Sequence, residues 1–342
     1  MQPAAWSLSL SVSIFVAMAV AICVSGTRLT AIADRLADRS GIGEALVGGV
    51  LMGAVTSLSG SVLSVTAAWT GNPQLAVANA IGGMAAQLTF LAVADLCYRR
   101  ANLEHAAASS ENMLQGTVLI CLLSVILISV YSPAWTVWKV HPGTPILVLA
   151  YVYGMRIVQR GRRFPMWKPT ATRDTRPDVV QRDNLEMSLQ RLWAEFAGLA
   201  AILALCGWIL QFAAVNISTA TGISQAVVGA LFTAVTTSLP ELVTSITAVR
   251  RGALTLAVGG IIGGNAYDSL FLAFSDVAYR EGSIYHTIPD TMLFWIGVNC
   301  LMTAILLMGL LFRQRHGIGG IGFESVLLLV IYLGAVGLLV TY

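Results

Sequence analysis

An internal repeat constrains this chain more than any other feature of its sequence. Residues 41–99 align with residues 222–280 at a constant offset of 181 positions without a gap, and 26 of the 59 aligned positions are identical. Self-similarity over a segment of this length indicates that one structural unit occurs twice. The 342 residues are therefore predicted to fold as two related halves.

Hydropathy places both halves in a membrane. Charged residues make up only 11% of the chain, whereas soluble proteins carry about 25%. A membrane span needs about 20 apolar residues. Stretches of this kind number ten, near 7–25, 41–68, 73–96, 113–131, 143–157, 190–213, 222–249, 254–278, 289–312 and 321–341. A nucleic-acid-binding protein, a secreted disulfide scaffold and a soluble enzyme are excluded, which leaves a transporter, a channel or a membrane-embedded enzyme.

The positions of the two copies predict their relative orientation. Five spans separate them, and because five is odd the copies enter the membrane from opposite sides. The predicted fold is an all-α polytopic membrane protein with ten transmembrane helices in two inverted five-helix repeats. Its parts are a first half, 1–157, with repeat 41–99, a basic linker, 158–189, and a second half, 190–342, with repeat 222–280. Inverted repeats are typical of secondary transporters, whose substrate site lies where the copies meet.

Basic residues predict the orientation of the whole chain. Of 20 Lys and Arg residues, 18 fall in or beside the loops after odd-numbered spans, and only Lys139 and Arg280 fall on the other side. By the positive-inside rule, these loops and the linker 158–189 are predicted to be cytoplasmic and both termini to lie outside. The predicted location is the inner or plasma membrane.

Polar residues interrupt the apolar stretches of the second copy. Together with helix-breaking residues they are Thr236, Thr237, Ser238, Pro240 and Glu241 in the seventh stretch and Gly263, Gly264, Asn265 and Asp268 in the eighth. Proline lacks a backbone donor and frees a helix carbonyl, so this region offers carbonyl, hydroxyl and carboxylate oxygens. Hard cations such as Na⁺ and Ca²⁺ prefer oxygen ligands. A carboxylate at membrane depth is costly unless it is paired or solvated, so Glu241 and Asp268 are predicted to be functional.

The segment TSLPELVTS, followed by GGNAYD, resembles the alpha repeat of the cation/Ca²⁺ antiporter superfamily, which includes the Na⁺/Ca²⁺ exchangers. The resemblance implies that ions bind between the two repeats. It also implies that a glutamate after the Thr-Ser pair, and a polar residue 27 positions later, are ligands. In this sequence these residues are Glu241 and Asp268, with Thr237 and Ser238 as hydroxyl and carbonyl ligands.

The first copy departs from that pattern. It keeps Thr56 and Ser57 and has Gln87 at the last ligand position, but Gly60 replaces the glutamate. An interhelical hydrogen bond is an alternative role for Ser57 and Gln87. The complete predicted cation site consists of Thr56, Ser57, Gln87, Thr237, Ser238, Glu241 and Asp268.

The predicted function is a secondary active antiporter that exchanges Ca²⁺, or a related cation, for Na⁺ or H⁺ by alternating access. Its partners are inorganic cations and the lipid bilayer, with no nucleic acid and no cofactor besides the transported ions. A monomer is compatible with the sequence. The alternative is a non-transporting scaffold or sensor of the same fold, which Gly60 suggests. An enzyme is disfavoured because no Ser/His, Cys/His or HExxH arrangement occurs.

Three further acidic residues are predicted to have no role in ion binding. Asp95 and Asp276 are equivalent in the repeat and lie at span ends, where they are expected to cap helices or to anchor the interface. Glu324 also lies near a span end and is expected to reach water.

Overall fold

The computed structural model describes residues 6–40, 52–98, 101–163, 165–172, 188–317 and 320–341. Within these residues the regular structure is helical apart from one isolated bridge between Val137 and Val140, so the predicted all-α class is confirmed. The helices are α1 Leu8–Ser40, α2 Met52–Thr56, α3 Leu58–Trp69, α4 Pro73–Leu96, α5 Leu103–Ala107, α6 Ser110–Tyr131, α7 Gly143–Arg163, α8 Leu189–Thr221, α9 Gln225–Thr237, α10 Leu239–Arg251, α11 Leu254–Asp268, α12 Leu270–Ala278, α13 Asp290–Phe312 and α14 Phe323–Thr341, with a 3₁₀ turn at Ile284–Thr287.

The number of membrane-crossing helices is confirmed only in part. Among the described residues, seven helices are long and apolar enough to cross a membrane, and the bent pair of α9 and α10 makes an eighth. The predicted fifth span corresponds to α7, whose second half carries Arg156, Arg160 and Arg162 and is correspondingly less apolar. The predicted second span corresponds to α2 and α3, and its first part, 41–51, lies outside the described residues.

Two helices are longer than their apolar stretches predict. α1 and α8 each contain 33 residues, which at 1.5 Å per residue is about 50 Å. They pack against each other through a hydrophobic cluster that includes Ile22 and Leu29 of α1 and Leu203 and Leu210 of α8. This cluster is separate from the main core, at the centre of which α4 is buried on almost every side.

Several helices break at equivalent points of the two copies. α2 and α3 meet at Ser57, and α9 and α10 meet at Ser238 with a bend of 43°. Pro240 lies in the first turn of α10, where a proline is tolerated because its missing N–H has no partner within the helix. The segment Val228–Thr233 of α9 is π-helical, a distortion that is frequent at functional sites.

Asp95 connects the end of α4 to the beginnings of two other helices. Its carboxylate accepts hydrogen bonds from the backbone N–H groups of Leu103 at 2.8 Å and Gly322 at 3.0 Å, and from Ser325 Oγ at 2.9 Å. Leu103 begins α5, and Gly322 and Ser325 lie at the beginning of α14. Asp95 therefore joins the first half of the chain to the second.

Asp276 makes the same set of contacts with the halves exchanged. It accepts from the N–H groups of Ile284 at 3.0 Å and His141 at 2.8 Å, and from Thr144 Oγ1 at 2.6 Å. Each of these partners lies 181 positions from the corresponding partner of Asp95. The prediction that both aspartates cap helix ends is confirmed, and both are fully buried.

The predicted linker 158–189 is described only in part. Its first residues continue α7 as far as Arg163, residues 165–172 are irregular, and α8 begins at Leu189. Residues 173–187 lie outside the described part of the chain, so the boundaries between the halves and the linker stay predictions.

Candidate cation site

Two buried carboxylates lie beside the helix breaks. Glu241 is in the first turn of α10, where the positive end of the helix dipole favours a negative charge. Asp268 is the last residue of α11, directly before the break at Ser269. Their side chains are only 3% and 2% exposed, so each negative charge needs compensation from inside the protein or from a bound ion.

The break at Ser57 brings the first copy to these carboxylates. Ser57 Oγ donates a hydrogen bond to Glu241 Oε1 at 3.3 Å, and the same hydroxyl is within hydrogen-bonding reach of Asp268. The hydroxyl of Thr56 donates to the Gly53 carbonyl at 3.2 Å and also lies near the Glu241 carboxylate. Both carboxylates therefore meet Ser57 of the other copy, and Glu241 also lies beside Thr56.

Gln87 of α4 contacts the opposite side of the same group. Its Nε2 donates to Asp268 Oδ2 at 2.6 Å and to Ser238 Oγ at 3.2 Å. Gln87 and Asp268 are themselves 181 positions apart. Met84 and Asn265 are separated by the same offset, and Asn265 Nδ2 donates a hydrogen bond to the Met84 carbonyl oxygen at 3.0 Å. Repeat-equivalent residues touch one another only beside the axis that relates the copies, so the site lies where the two copies meet.

Six of the seven predicted site residues are thus gathered around the carboxylates, and Thr237 is the exception. Its hydroxyl donates to the carbonyl of Thr233 at 3.0 Å and faces Asn79 Oδ1 at 3.5 Å. Sequence reasoning missed Asn79, whose Nδ2 donates to the Gly60 carbonyl at 3.3 Å and to Ser64 Oγ at 3.0 Å. The available signal was an asparagine inside an otherwise apolar helix.

Four buried oxygens around the site have no hydrogen-bond partner among the residues that the structure describes. They are Glu241 Oε2, Asp268 Oδ1, Gln87 Oε1 and Asn265 Oδ1. Buried acceptors are normally satisfied, so each exception calls for an explanation such as an ion. Oxygen ligands of this kind suit Na⁺ and Ca²⁺. Among the described residues no three histidine, cysteine or acidic side chains are arranged to hold a metal ion, so neutral oxygens would have to complete the shell.

The position of the missing glutamate is occupied by an aromatic ring. A Cβ atom built on Gly60 would lie 2.9 Å from Cε2 of Phe271 and 3.4 Å from Thr237 Oγ1. The former distance is too short for a real Cβ contact, so a side chain at position 60 requires the ring to move. Gly83 differs, because its Cβ would lie 3.6 Å from Ser238 Oγ and 4.0 Å from Asp268 Oδ2. A Cβ atom therefore fits next to Asp268 in ordinary van der Waals contact, whereas one at position 60 overlaps the ring.

Comparison with known proteins identifies the family of this chain. The family described as "Sodium/calcium exchanger protein" matches residues 10–158 and 191–341. The chain belongs to this family. Its members are exchangers and antiporters rather than enzymes, so membrane transport of cations is the activity that the family assignment supports, and the resemblance read from the repeats is confirmed.

Individual relatives match different shares of the chain. The putative antiporter CaxA of Alkalimonas amylolytica is 26% identical over 246 residues, which cover 72% of this chain and 73% of CaxA. Sodium/potassium/calcium exchanger 1 of Gallus gallus is 28% identical over 134 residues, or 36% of this chain; the match spans only 19% of the chicken protein. A structure of the sodium-calcium exchanger NCX_Mj superimposes with a TM-score of 0.63 at 17% identity over 97% of this chain and 99% of NCX_Mj, which supports a common fold.

Proposed function

We propose that this protein is a secondary active antiporter that exchanges Ca²⁺ for Na⁺ or H⁺ at the site around Glu241 and Asp268. The observation that carries the proposal is the pair of buried carboxylates with unpartnered oxygens at the junction of the two copies. Family membership supports the class of activity, and the oxygen ligands support hard cations. Na⁺ and H⁺ are both candidates for the driving ion because a carboxylate binds either.

Within this proposal, the charged ligands and the neutral ligands come from different residues. Glu241 and Asp268 supply the two negative charges. The neutral oxygens come from Thr56, Ser57, Gln87 and Ser238, and the hydroxyl of Thr237 belongs to an outer layer that contacts Asn79. This division follows the contacts between the first copy and the carboxylates of the second.

Alternating access would come from movement of α1 and α8 against the broken helices. Their hydrophobic cluster is separate from the main core, so sliding of the pair would leave most of that core intact. Gly26 of α1 lies against Pro240, and Gly207 of α8 lies against the backbone of Ser59. Because these two contacts are equivalent in the repeat, one movement would affect both sides of the site.

The proposed topology has ten spans in two inverted halves, with the basic loops in the cytoplasm, both termini outside and the protein in the plasma or inner membrane. The exchanged contacts of Asp95 and Asp276 support a two-fold relation between the halves. Ten spans require that α7 cross the membrane and that α2 and α3 belong to one broken span.

Flux in proteoliposomes tests the proposed function. Radioactive Ca²⁺ should accumulate in vesicles that hold high internal Na⁺, or that are acidic inside, and the accumulation should collapse when an ionophore dissipates the driving gradient. Running the Na⁺ and H⁺ gradients separately identifies the coupling ion. If neither gradient drives uptake by folded, correctly inserted protein, the antiporter proposal fails and the non-transporting alternative takes its place.

A further inference from the structure

A second group of buried carboxyl groups lies outside the candidate cation site. It contains Asp95 at the end of α4, Glu104 in α5 and Glu324 in the first turn of α14, and all three are fully buried. The expectation that Glu324 reaches water is therefore wrong. The reason lies in α13, where Gly309 makes room for it: a Cβ atom on Gly309 would lie 2.6 Å from Cγ and 2.7 Å from Cδ of Glu324.

The three carboxyl groups differ in their hydrogen bonds. Asp95 accepts three, from two backbone N–H groups and a serine hydroxyl. Among the described residues, the oxygens of Glu104 and Glu324 have no hydrogen-bond donor in good geometry. The helices that carry them begin at the same Asp95 carboxylate, and the two carboxyl groups lie within hydrogen-bonding reach of each other. Two ionised carboxylates cannot hydrogen bond to one another, so a contact of this kind requires a proton on one of them.

Two basic side chains of the described residues near the pair, those of Arg313 and His105, make hydrogen bonds to the loop after α7. The neighbouring carboxyl group of Asp95 supplies no positive charge. The guanidinium group of Arg313 donates to the carbonyl oxygens of His105 at 3.3 and 3.1 Å and of Thr170 at 2.7 Å. The ring of His105 contacts the Arg313 carbonyl at 2.6 Å and Thr172 Oγ1 at 3.1 Å. Both basic side chains thus contact the loop 165–172.

We propose that Glu104 and Glu324 form a proton-binding site in which the two carboxyl groups share one proton. A proton fits better than a metal ion because no three acidic, histidine or cysteine side chains of the described chain are arranged to hold a metal, whereas a proton needs only two oxygens. Burial, together with the nearby charges of Asp95 and Glu324, raises the pKa of Glu104 well above its ordinary value. The pair therefore keeps its proton at a pH where an exposed glutamate is ionised.

The repeat does not reproduce this pair at the other end of the bundle. The repeat equivalents of Glu104 and Glu324 are Tyr285 and Gly143, so these two positions carry no carboxyl group. Loss of the proton would place like charges between α5 and the beginning of α14. Because the folded-state pKa is raised, the contribution to stability is complete at low pH and is lost as the pH rises from the ordinary pKa of glutamate through the raised value.

Infrared spectroscopy of the purified protein tests the shared proton directly. The wild-type protein should show the carbonyl stretching band of a protonated carboxylic acid, and this band should disappear as the pH rises. Glu104→Gln and Glu324→Gln should each remove the same single band, because the amide N–H group replaces the proton and leaves the remaining glutamate ionised. The double variant should lose no more than either single variant.

Contrary results are clearly distinguishable. If the band survives both single substitutions, or if each removes a different band, the two glutamates do not share a proton. If Na⁺ or Ca²⁺ at constant pH abolishes the band that Glu104→Gln removes, a cation and not a proton belongs to the pair. The matched control is Asp290→Asn, an exposed carboxylate at the beginning of α13 that should leave the band unchanged.

Thermal unfolding gives an independent measurement. The wild-type melting temperature should fall as the pH rises above the ordinary pKa of glutamate, and Glu104→Gln should flatten this dependence, while Asp290→Asn retains the wild-type slope. Equal slopes in the wild type and Glu104→Gln would refute the site. Neither measurement requires transport, so failure of the antiporter proposal and failure of the proton site can be told apart.

Discussion

The charge of the candidate cation site depends on two residues, Glu241 and Asp268. Glu241→Gln keeps the size of the side chain and leaves a bound divalent ion with one carboxylate. Removal of one partner from a buried pair of charges costs about 3–5 kcal/mol, so Ca²⁺ affinity should fall about a hundredfold or more. Isothermal titration calorimetry of the purified variant with Ca²⁺ measures this loss.

A matched control for this substitution is Glu195→Gln. Glu195 is a partly exposed residue of α8 and forms an ion pair with Arg191 at 3.0 Å. Exposed pairs of this kind contribute little, so Ca²⁺ binding should be unchanged. Near-normal affinity in Glu241→Gln would remove Glu241 from the site.

Gly60 offers a second test, because the neighbouring ring of Phe271 decides whether a side chain fits there. Gly60→Glu alone should lower the melting temperature by several degrees, since its Cβ would overlap Phe271. Gly60→Glu combined with Phe271→Ala should regain stability relative to the single variant and place a third carboxylate near Glu241. Thermal unfolding and Ca²⁺ titration of both variants, with Phe271→Ala alone as the control, check this coupling.

The outcomes at position 60 separate two explanations. Tighter divalent binding in the double variant, or a new pH dependence of binding, means that position 60 faces the ion. Identical binding in the double variant and in Phe271→Ala means that it does not. A Gly60→Glu protein as stable as the wild type would contradict the steric argument.

Single residues show how far the sequence alone could go. Glu241, Asp268, Ser57 and Gln87 were predicted together because the resemblance to the alpha repeat implies ligands at these positions of the two copies, and the contacts bring them together. The direction of the Thr237 side chain was not predictable, because a threonine inside a helix commonly donates to the carbonyl four residues earlier. Occupation of the space beside Gly60 by Phe271 also depends on three-dimensional packing.

Among the helices, α1 and α8 contact the broken helices through glycines, and this arrangement can be tested. Gly207→Ala places a Cβ against the backbone of Ser59, with Cα of Ser59 only 3.1 Å away. Because glycines let membrane helices approach closely, the substitution should separate α8 from α3 and lower the exchange rate at least tenfold. Flux in proteoliposomes measures this effect, with the melting temperature as a check of folding.

The same helix provides the control. A Cβ on Gly198 of α8 would meet no atom within 4 Å, so Gly198→Ala should leave flux unchanged. Gly26→Ala, which meets Pro240 from α1, should reproduce the Gly207→Ala defect. Normal exchange in both Gly207→Ala and Gly26→Ala would argue against movement at these contacts.

Hydropathy predicted most helices but not their full lengths. The predicted stretches 73–96, 289–312 and 321–341 agree closely with α4, α13 and α14. α1 was predicted to end near residue 25 because the polar residues beyond it resemble a loop. Its continuation to Ser40 depends on packing against α8, which an apolar count cannot register. The short helix α5 was missed because it lies outside the apolar stretches.

For the whole molecule, the orientation of the halves predicts which loops face which side. In a variant without its five cysteines, a single cysteine at Thr170 should react with a membrane-impermeant thiol reagent only from the cytoplasmic side, and one at Ala220 only from outside. Both positions are exposed, in the loop after α7 and near the end of α8. Labelling of both from one side of intact cells would contradict the inverted arrangement.

Charge balance over the whole cycle predicts a weak dependence on membrane voltage. Glu241 and Asp268 together carry two negative charges, which neutralise one Ca²⁺ or two monovalent ions, so the loaded site is neutral in both directions of exchange. Moving one uncompensated charge across a potential of 100 mV changes the free energy of the cycle by about 2.3 kcal/mol. This change would shift the equilibrium Ca²⁺ gradient about fiftyfold. When one Ca²⁺ is exchanged for two Na⁺ or H⁺, no net charge crosses the membrane. In proteoliposomes whose membrane potential is clamped with K⁺ and valinomycin, the Ca²⁺ gradient should therefore change less than about twofold between 0 and −100 mV. A shift near fiftyfold would mean that one further cation moves with the others, and that an additional ligand position, beyond the two carboxylates, carries it.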